Sequence, residues 1–509
     1  MKPARTEKPA DLRPHRPDLV LALVVPLGTP TRRLIESLES GLRSYGYDPR
    51  VIRMSNILQE YAEQIGASIP ITPEPDRIRA LQDLGDQYCA KTGDAAAIAL
   101  SAILRIGASR PSNGHTPRRP RAWIVDSLKR GREVAQLRQV YGDHVIVVGA
   151  QASRQTRKRT LSVKIAPQTP SQPDDKIEAI IEQLFTVDLD SKHGDFGQNI
   201  LDTLPMSDCF VTCEDDDRQT TGIEVTRMLD LLFSNPEAEI PTTDEYGMHL
   251  ATSAAARSPE LGRKVGAAIL VGDSVVALGA NSHPVAPTKS PHADRSKMDL
   301  SRLILDTMKR LAVADILSPI AEQELQNNAD HYIQDIISKH LKGSHLTGLT
   351  EFQVPVHAEM SALLDALNQG KTVHGGIIYV TTYPCHGCAR HILRAGLQVV
   401  YLGSCPPRSR AVAMYGRYGV DQFRPFTGIS PDRYLRWFSA GDRRSAADGS
   451  KILWGQSERL AAVPRVTKLE RETIMAREDA VSMRASHMET ASDQEPPEAT
   501  ACLVPPQVT

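Results

Sequence analysis

No stretch of this 509-residue chain is apolar for long enough to cross a bilayer; the longest such run, residues 19–27, is short and holds Pro26. The Pro- and Arg-rich beginning has neither the apolar core nor the small-residue cleavage site of a secretory signal. An excess of one charge is missing too: 60 Lys and Arg stand against 61 Asp and Glu, a formal net charge of −1. Aromatic residues make up only 5% of the chain, so a basic groove with stacking platforms for a nucleic-acid strand has little to be built from. Cysteine is sparse, seven residues in an odd and scattered set, which argues against a disulfide framework and fits a reducing compartment. The expectation is a soluble, cytoplasmic protein without membrane contact, long enough for two or three domains.

What is present concentrates in residues 356–392. They read V-H-A-E-M-S-A-L-L-D-A, then an apolar I-I-Y-V-T-T-Y, then P-C-H-G-C-A-R-H-I. One imidazole (His357), one carboxylate two residues on (Glu359) and two thiols three apart (Cys385 and Cys388) give three nitrogen and sulfur ligands and one spare acid/base. Zinc takes such ligands in a tetrahedron, and a catalytic site keeps one of the four positions for water, so one zinc per chain is expected on His357, Cys385 and Cys388. A structural zinc site fits less well, because it needs a fourth protein ligand and leaves Glu359 without a task.

The apolar positions Met360, Leu363, Leu364 and Leu367 have helical spacing, which places His357 and Glu359 in the entry turn of a helix starting near Pro355. Pro384 opens a second helix, on which the i, i+3 pair of cysteines faces one way, and residues 377–382 form the strand feeding it. Two helix N-termini then converge on the metal, and their dipoles favour the thiolates. His386 and His391 are assigned to the surface or to a supporting place behind the ligands.

H-A-E followed by P-C-x-x-C resembles the signature of the zinc-dependent cytidine/deoxycytidylate deaminases. The resemblance implies attack of metal-activated water on C4 of a cytosine ring, with Glu359 as proton shuttle rather than ligand. A riboflavin-pathway deaminase shares H-A-E but spaces its two cysteines more widely.

Around this motif the chain divides. Residues 1–17 are polar and proline-punctuated, a flexible leader. Residues 18–233 open with an apolar strand at 19–25, the turn P-L-G-T-P-T and a helical pattern through Leu34, Leu38 and Leu42, the start of a P-loop type of α/β domain with Gly28 and Thr29 as candidate nucleotide-binding residues. Pro30 and Thr31 stand where that motif has a glycine and the phosphate-binding lysine, which speaks against ATP hydrolysis. Strands at 50–54, 122–126 and 145–148 alternate with helical patterns at 76–106 and 133–141, implying a mostly parallel sheet covered on both faces. Residues 122–143 resemble the second half of nucleotide-kinase-like folds. The basic cluster Arg154, Arg157, Lys158 and Arg159 is either a phosphate-contacting lid or a solvated helix face. Cys209 and Cys213, with no histidine pair nearby, read as packing residues rather than a second metal site.

Residues 234–243 read as a linker and 244–460 as a second domain. A helix, a hairpin around Gly272 and Asp273, and the strand ending in Asn281 resemble the start of deoxycytidylate deaminases, which implies a cytidine-deaminase-like α/β/α sandwich with Asn281 at the nucleotide sugar. Arg263 is a candidate phosphate contact and Tyr383 a surface on which a base can stack. Residues 285–350 form an insertion, 420–426 a further strand, and S-C-P-P-R-S-R-A after residue 403 departs from the pattern of relatives. P-F-T-G-I-S-P-D-R-Y-L-R-W-F at 425–438 resembles an extension of bacterial anti-phage deoxycytidine-nucleotide deaminases with a degenerate P-loop domain, a likeness that covers residues 18–460. From 461 to 509 the composition turns polar and reads as disordered.

The fold expectation is therefore α/β: an N-terminal P-loop kinase-like parallel domain followed by a deaminase-like sandwich. The resemblance implies deamination of free dCTP or dCMP, depletion of dCTP during phage infection, a nucleotide or RNA regulator at the N-terminal domain, and a homo-oligomer. The competing readings are a tRNA or single-stranded DNA deaminase, and a nucleotide- or RNA-binding regulatory protein whose deaminase half is inert.

Overall fold

The computed structural model describes residues 16–110, 119–168, 173–191, 194–214, 219–238, 240–260, 262–282, 295–341, 344, 346, 355–403, 409–419, 423–439, 449–450 and 452–492. Continuous runs of branched residues set the centre of the first sheet. Strand β1 (Leu19–Val24) is buried along its whole length, with Val20, Ala22 and Val24 in one core and Leu19, Leu21 and Leu23 in the other. Burial on both faces is what a central strand of a parallel sheet requires. With β2 (Asp48–Arg53), β3 (Arg121–Leu128), β4 (Val145–Gln151) and β5 (Cys209–Thr212) it forms an all-parallel array in the order β5-β4-β1-β3-β2. The helical stretch expected at 76–106 is two helices, Glu74–Thr92 and Ala97–Ala108, because Gly93 ends the first in a left-handed conformation (φ +65°).

The second sheet has antiparallel and parallel parts. β6 (Gly266–Val271) and β7 (Ser274–Ala280) form the expected hairpin, turning at Gly272 (φ +58°). β8 (Ile377–Val380) runs antiparallel to β6, while β9 (Gln398–Tyr401) and β10 (Arg424–Pro425) continue parallel to β8, giving the order β10-β9-β8-β6-β7. Side chains alternate across it: Ala267, Ile269, Ile378, Val380 and Val399 join the core that holds Ala358, Ala362, Ala389 and Ile392 of helices Ala358–Asn368 and His386–Ala395. Ala268, Leu270, Tyr379 and Val400 instead join Met248 and Ala251 of helix Thr243–Ala255, in a core continuous with that of the first sheet. Helices thus cover both faces.

One helix turns out to be rotated from its apolar pattern. Helix Ala358–Asn368 buries Ala358, Ala362 and Ala366, while Leu364 and Leu367 face outward, Leu367 with 71% of its surface exposed. The cause is the strand beneath it. A Cβ placed on Gly279 of β7 would lie 2.2 Å from the Ala358 carbonyl oxygen and 2.4 Å from the Ala362 nitrogen, so the helix rests on backbone and only small residues fit that face.

The boundary expected at residue 460 does not hold, because the chain returns to the first sheet well before it. β11 (Gly428–Ile429) adds antiparallel to β5, and Trp437 of helix Pro431–Trp437 lies in the core of β1 and helix Arg32–Ser44. Nor is the segment up to residue 492 disordered. Helix Arg471–Ser492 inserts Ile474 and Val481 into the first domain's core. Its Glu478 is buried and accepts bonds from Arg110 (2.8 and 2.9 Å) and from the Tyr141 hydroxyl (2.8 Å). A mostly polar helix hides this docking from composition, because two apolar residues and one carboxylate with waiting partners suffice.

Arg16, in the expected leader, is anchored over the Tyr47 ring and on the Leu460 carbonyl. Residues 1–15 of that leader, residues 493–509, the strand positions 420–422, residues 404–408 and, within the 285–350 insertion, residues 285–294, 342–343, 345 and 347–350 lie outside the described residues. Within the insertion, helices Arg295–Val313 and Pro319–Asp335 are formed. Among the described residues no helix is long and apolar enough to cross a membrane.

Glu478→Ala should leave Tyr141 and part of Arg110 buried without an acceptor, Arg110 keeping only Asp18. The expected loss is about 1–3 kcal/mol, read as a lower urea midpoint. An unchanged midpoint would mean that the helix is not docked in solution.

Candidate metal centre

The site begins with two helix N-termini. His357 is the N-cap of helix Ala358–Asn368, and Cys385 is the N-cap of helix His386–Ala395, its sulfur accepting the Cys388 N–H at 3.4 Å. The helices therefore start three and two residues after Pro355 and Pro384. β8 delivers the chain to Pro384, and an antiparallel bridge between Ser282 and Val356 (N···O 3.0 and 2.8 Å) holds the end of β7 against the residue before His357.

His357, Cys385 and Cys388 are brought together with their ligand atoms within 4.8 Å of one another. His357 Nδ1 is 3.4 Å from the Cys385 sulfur and 3.4 Å from that of Cys388. A tetrahedral zinc with nitrogen at about 2.0 Å and thiolates at about 2.3 Å sets N···S separations of roughly 3.5 Å, so the donor set has the right chemistry and span for one zinc. Among the described residues no other group of three His, Cys, Asp or Glu side chains is close enough to share a metal.

The electrostatics separate the roles. Hydrogen bonding from Cys388, then from His357, pulls the Cys385 thiol down to about 4. Cys388 is pushed far up by that same shared hydrogen bond and by burial. His357 is raised, first by its hydrogen bond with Cys385. Glu359 lies in the first turn of its helix, 2% exposed, and burial pushes its carboxyl above the ordinary range. It also reaches the Cys388 thiol. A buried carboxyl beside the ligand sulfurs but outside the ligand set is placed to carry a proton.

Comparison with known proteins bears on this geometry. Residues 327–404 match the family described as the cytidine and deoxycytidylate deaminase zinc-binding region. Over that stretch the chain is similar to the zinc-binding region of this deaminase superfamily. ComE operon protein 2 of Bacillus subtilis is 46% identical over 46 residues, covering 9% of this chain and 24% of that protein. Deoxycytidylate deaminase of enterobacteria phage T4 is 40% identical over 43 residues, covering 8% and 22%. The chain thus spans about a quarter of the length of the curated relatives it matches. Among solved structures, dCMP deaminase from the cyanophage S-TIM5 in complex with dCMP and dUMP is similar at 16% identity and a TM-score of 0.23, over 37% of this chain and 98% of that one.

The other residues singled out in the deaminase domain divide. Asn281 is brought beside the metal residues through its neighbour Ser282, and its side chain ties down the preceding turn: Oδ1 accepts from Val265 N–H (2.8 Å) and Nδ2 donates to the Arg263 carbonyl (3.0 Å). Arg263 is exposed and pairs with Asp202 of the first domain at 2.6 Å. Tyr383 is buried, its ring edge-on to Tyr401 (4.8 Å) and tilted over Phe423 (6.1 Å). Its ring is packed into the sandwich rather than presented as an open platform. His391 is on the surface, whereas His386 is buried behind the motif. Cys209 and Cys213 are core residues whose thiols burial pushes up, in keeping with a packing role.

Gly28 and Thr29 lie in the other domain, in the loop after β1, apart from the zinc ligands in the topology. In the basic cluster, Arg154 pairs with Glu182, and Lys158 with Glu178 (2.6 Å) and Glu182 (2.8 Å), on helix Asp174–Leu189. These two cations therefore stitch one helix to the next. The Ser282–Val356 bridge, Asp202 and the Thr381 hydroxyl that accepts from Gly266 N–H (3.0 Å) had no signal in the pattern of residues, because each acts across a distance in sequence.

Metal analysis of the purified protein should find about one zinc per chain, lost in Cys388→Ala. Undiminished zinc in that variant would remove Cys388 from the ligand set.

Proposed function

We propose that the chain is a hydrolase that deaminates free deoxycytidine nucleotides, dCTP or dCMP, to the corresponding deoxyuridine nucleotides. The observation that carries this reading is the buried Glu359 carboxyl, raised by burial, beside a His/Cys/Cys zinc set. A structural zinc site has no use for such an acid. The match of residues 327–404 to the deaminase zinc-binding region supports it.

His357, Cys385 and Cys388 would hold the zinc, which would supply Lewis acidity to make a water molecule nucleophilic at neutral pH. Glu359 takes the proton that this water gives up and delivers protons to the ring nitrogen and the departing amine. A C4–O bond forms, the bond from C4 to the exocyclic nitrogen breaks, and ammonia leaves. A carboxyl raised above the ordinary carboxylate range gives up its proton less readily than a free one, which suits one residue acting first as base and then as acid. The low-dielectric setting that raises it also strengthens its contact with developing charge.

Asn281 borders the nucleotide sugar in this reading, with its place beside Ser282 and Val356 as support. Arg263 stands at the rim for a phosphate, exchanging Asp202 for it. A compact pocket for one nucleotide accords with the scarcity of aromatic residues and the absence of net positive charge. The likeness to anti-phage deaminases along residues 18–460 gives the reaction a purpose, removal of dCTP from an infected cell, which a nucleotide profile of infected cells would check.

Glu359→Gln should keep zinc and fold while losing at least ~10²-fold in rate, the scale of a general acid/base. Ammonia release near the parent rate would refute the role.

With purified enzyme, dCTP or dCMP should yield ammonia and a cytosine-bearing oligonucleotide little, and Asn281→Ala should slow the free nucleotide without loss of metal. Conversion of the oligonucleotide alone would turn the assignment to a nucleic-acid editor.

A further inference from the structure

We propose that the loop at residues 26–31, together with the buried side chains behind it, forms a binding site for one phosphate-type anion, separate from the zinc centre. β1 lies where the strand order reverses, between β3 and β4, and open parallel sheets receive ligands at the carboxyl ends of strands at such a point. The loop leaving that end turns at Gly28 (φ +83°) and enters the 13-residue helix Arg32–Ser44. The N-cap of that helix, Thr31, makes no side-chain capping bond, and the first turn holds no acidic residue. Its leading amides and positive dipole end thus have no anion on the helix itself.

The side chains behind the loop supply the independent observation. Thr29 is 9% exposed with its Oγ1 unpartnered, and Arg157 is 8% exposed with Nε and Nη1 both unpartnered. Gln151 is 5% exposed, with Nε2 unpartnered. Arg157 is seated directly on the loop: its carbonyl oxygen would be 2.6 Å, and its own Cβ 3.1 Å, from a Cβ at Gly28. Gln151 ends β4 just past Gly149, which pairs with Val24, so it stands beside Pro26 at the same sheet edge. The Phe185 ring, 4.8 Å from the Arg157 guanidinium, steadies one face of the charge without satisfying its donors. Buried donors of this kind are normally matched, and Asp188, the carboxylate that acts on the Arg157 charge, already pairs with Lys129, so a ligand anion is the natural partner for the open donors.

What is already taken limits the size of that ligand. The Leu27 N–H donates to Asp188 Oδ2 at 2.7 Å, and Lys129 Nζ is held at 2.6 Å both by Asp188 Oδ1 and by the Val25 carbonyl. Asp188, itself buried and neutralised by Lys129, acts as a built-in anion at the inner end of the loop. The donors that remain suit one phosphate group, free or as a phosphomonoester, and not a metal-bound triphosphate, whose charge would meet Asp188 with Lys129 already committed.

The test follows thermal unfolding of the full-length, zinc-loaded protein with inorganic phosphate, with AMP, and with sodium chloride at matched ionic strength. A ligand that binds only the folded state must raise Tm, so phosphate or AMP at millimolar concentration should raise it above the chloride control. A rise with both assigns the site to the phosphate group itself; a rise with AMP alone assigns it to a nucleotide's phosphate. Arg157→Met, which keeps an apolar stem and removes the open donors, should fold and lose the rise, and Thr29→Val should reduce it. If Arg157→Met does not fold, Thr29→Val carries the comparison. Asn281→Ala, in the other domain, should respond as the parent does. No rise with either anion, a rise kept in full by the folded loop variants, or one lost in Asn281→Ala would overturn the site.

Discussion

Three ligand atoms that must share one metal come from positions 357, 385 and 388, and the close approach of helix Ala358–Asn368 to β7 is the constraint that makes this work. Gly279 lets the helix lie on the strand's backbone, and the alanines at 358, 362 and 366 keep it there. The bridge from Ser282 to Val356 then fixes the point at which the helix starts. β8, paired with β6 on one side and β9 on the other, fixes the start of the second helix. With both N-caps placed by the sheet, the imidazole and the thiols meet without a loop having to choose a conformation. Rigid elements hold such a constellation better than loops do.

The two sheets are joined as firmly as either is built. Glu245, in the capping box of helix Thr243–Ala255, is fully buried, yet it accepts both Nη1 and Nη2 of Arg227 at 2.7 Å and the Ile429 N–H of β11 at 2.8 Å. Gly428 (φ +115°) permits this approach, since a Cβ there would come within 2.7 Å of the carboxylate. Asp208 plays the matching part for the first domain, holding Val147 N–H, Arg138 and Arg433. Arg433 adds Asp143, whose carboxyl hydrogen bonds from Thr467 and two arginines keep well below the usual range despite partial burial. Buried carboxylates of this kind add modest net stability when paired but cost much when a partner is removed, so they fix the mutual placement of the domains more than they add to the total. Phe210 against Phe426, 5.6 Å apart and edge to face, fills the apolar space between them.

The loop after β1 shows the same economy of charge in another form. The loop itself has no lysine, and the fold brings Lys129 from the end of β3 beside it, bound to Asp188. The helices that cover it, Arg154–Ile165 and Asp174–Leu189, are held by their own ion pairs and by the cluster of Leu161, Ile165, Ile177, Ile181, Leu184 and Phe185.

By itself the sequence determined the zinc ligand set, the strand and helix that carry each ligand, and the parallel core of the first domain. Those features rest on local spacing: an i, i+3 cysteine pair, a histidine two residues before an acid, and unbroken apolar runs flanked by turns. Tertiary structure alone decided the rest. Which face of helix Ala358–Asn368 is buried depended on Gly279 in a distant strand, so Met360 and Leu363 of the apolar pattern pack against the core while Leu364 and Leu367 face outward. The polar C-terminal helix is ordered because Glu478 finds Arg110 and Tyr141 more than three hundred residues earlier in the chain. In sequence Arg157 is one of four clustered cations, open to a lid or a solvated helix face, and the fold buries it against Gly28 while pairing Arg154 and Lys158 outside. Charge and polarity are properties of a residue, but whether a charge is matched depends on which remote group the fold sets beside it.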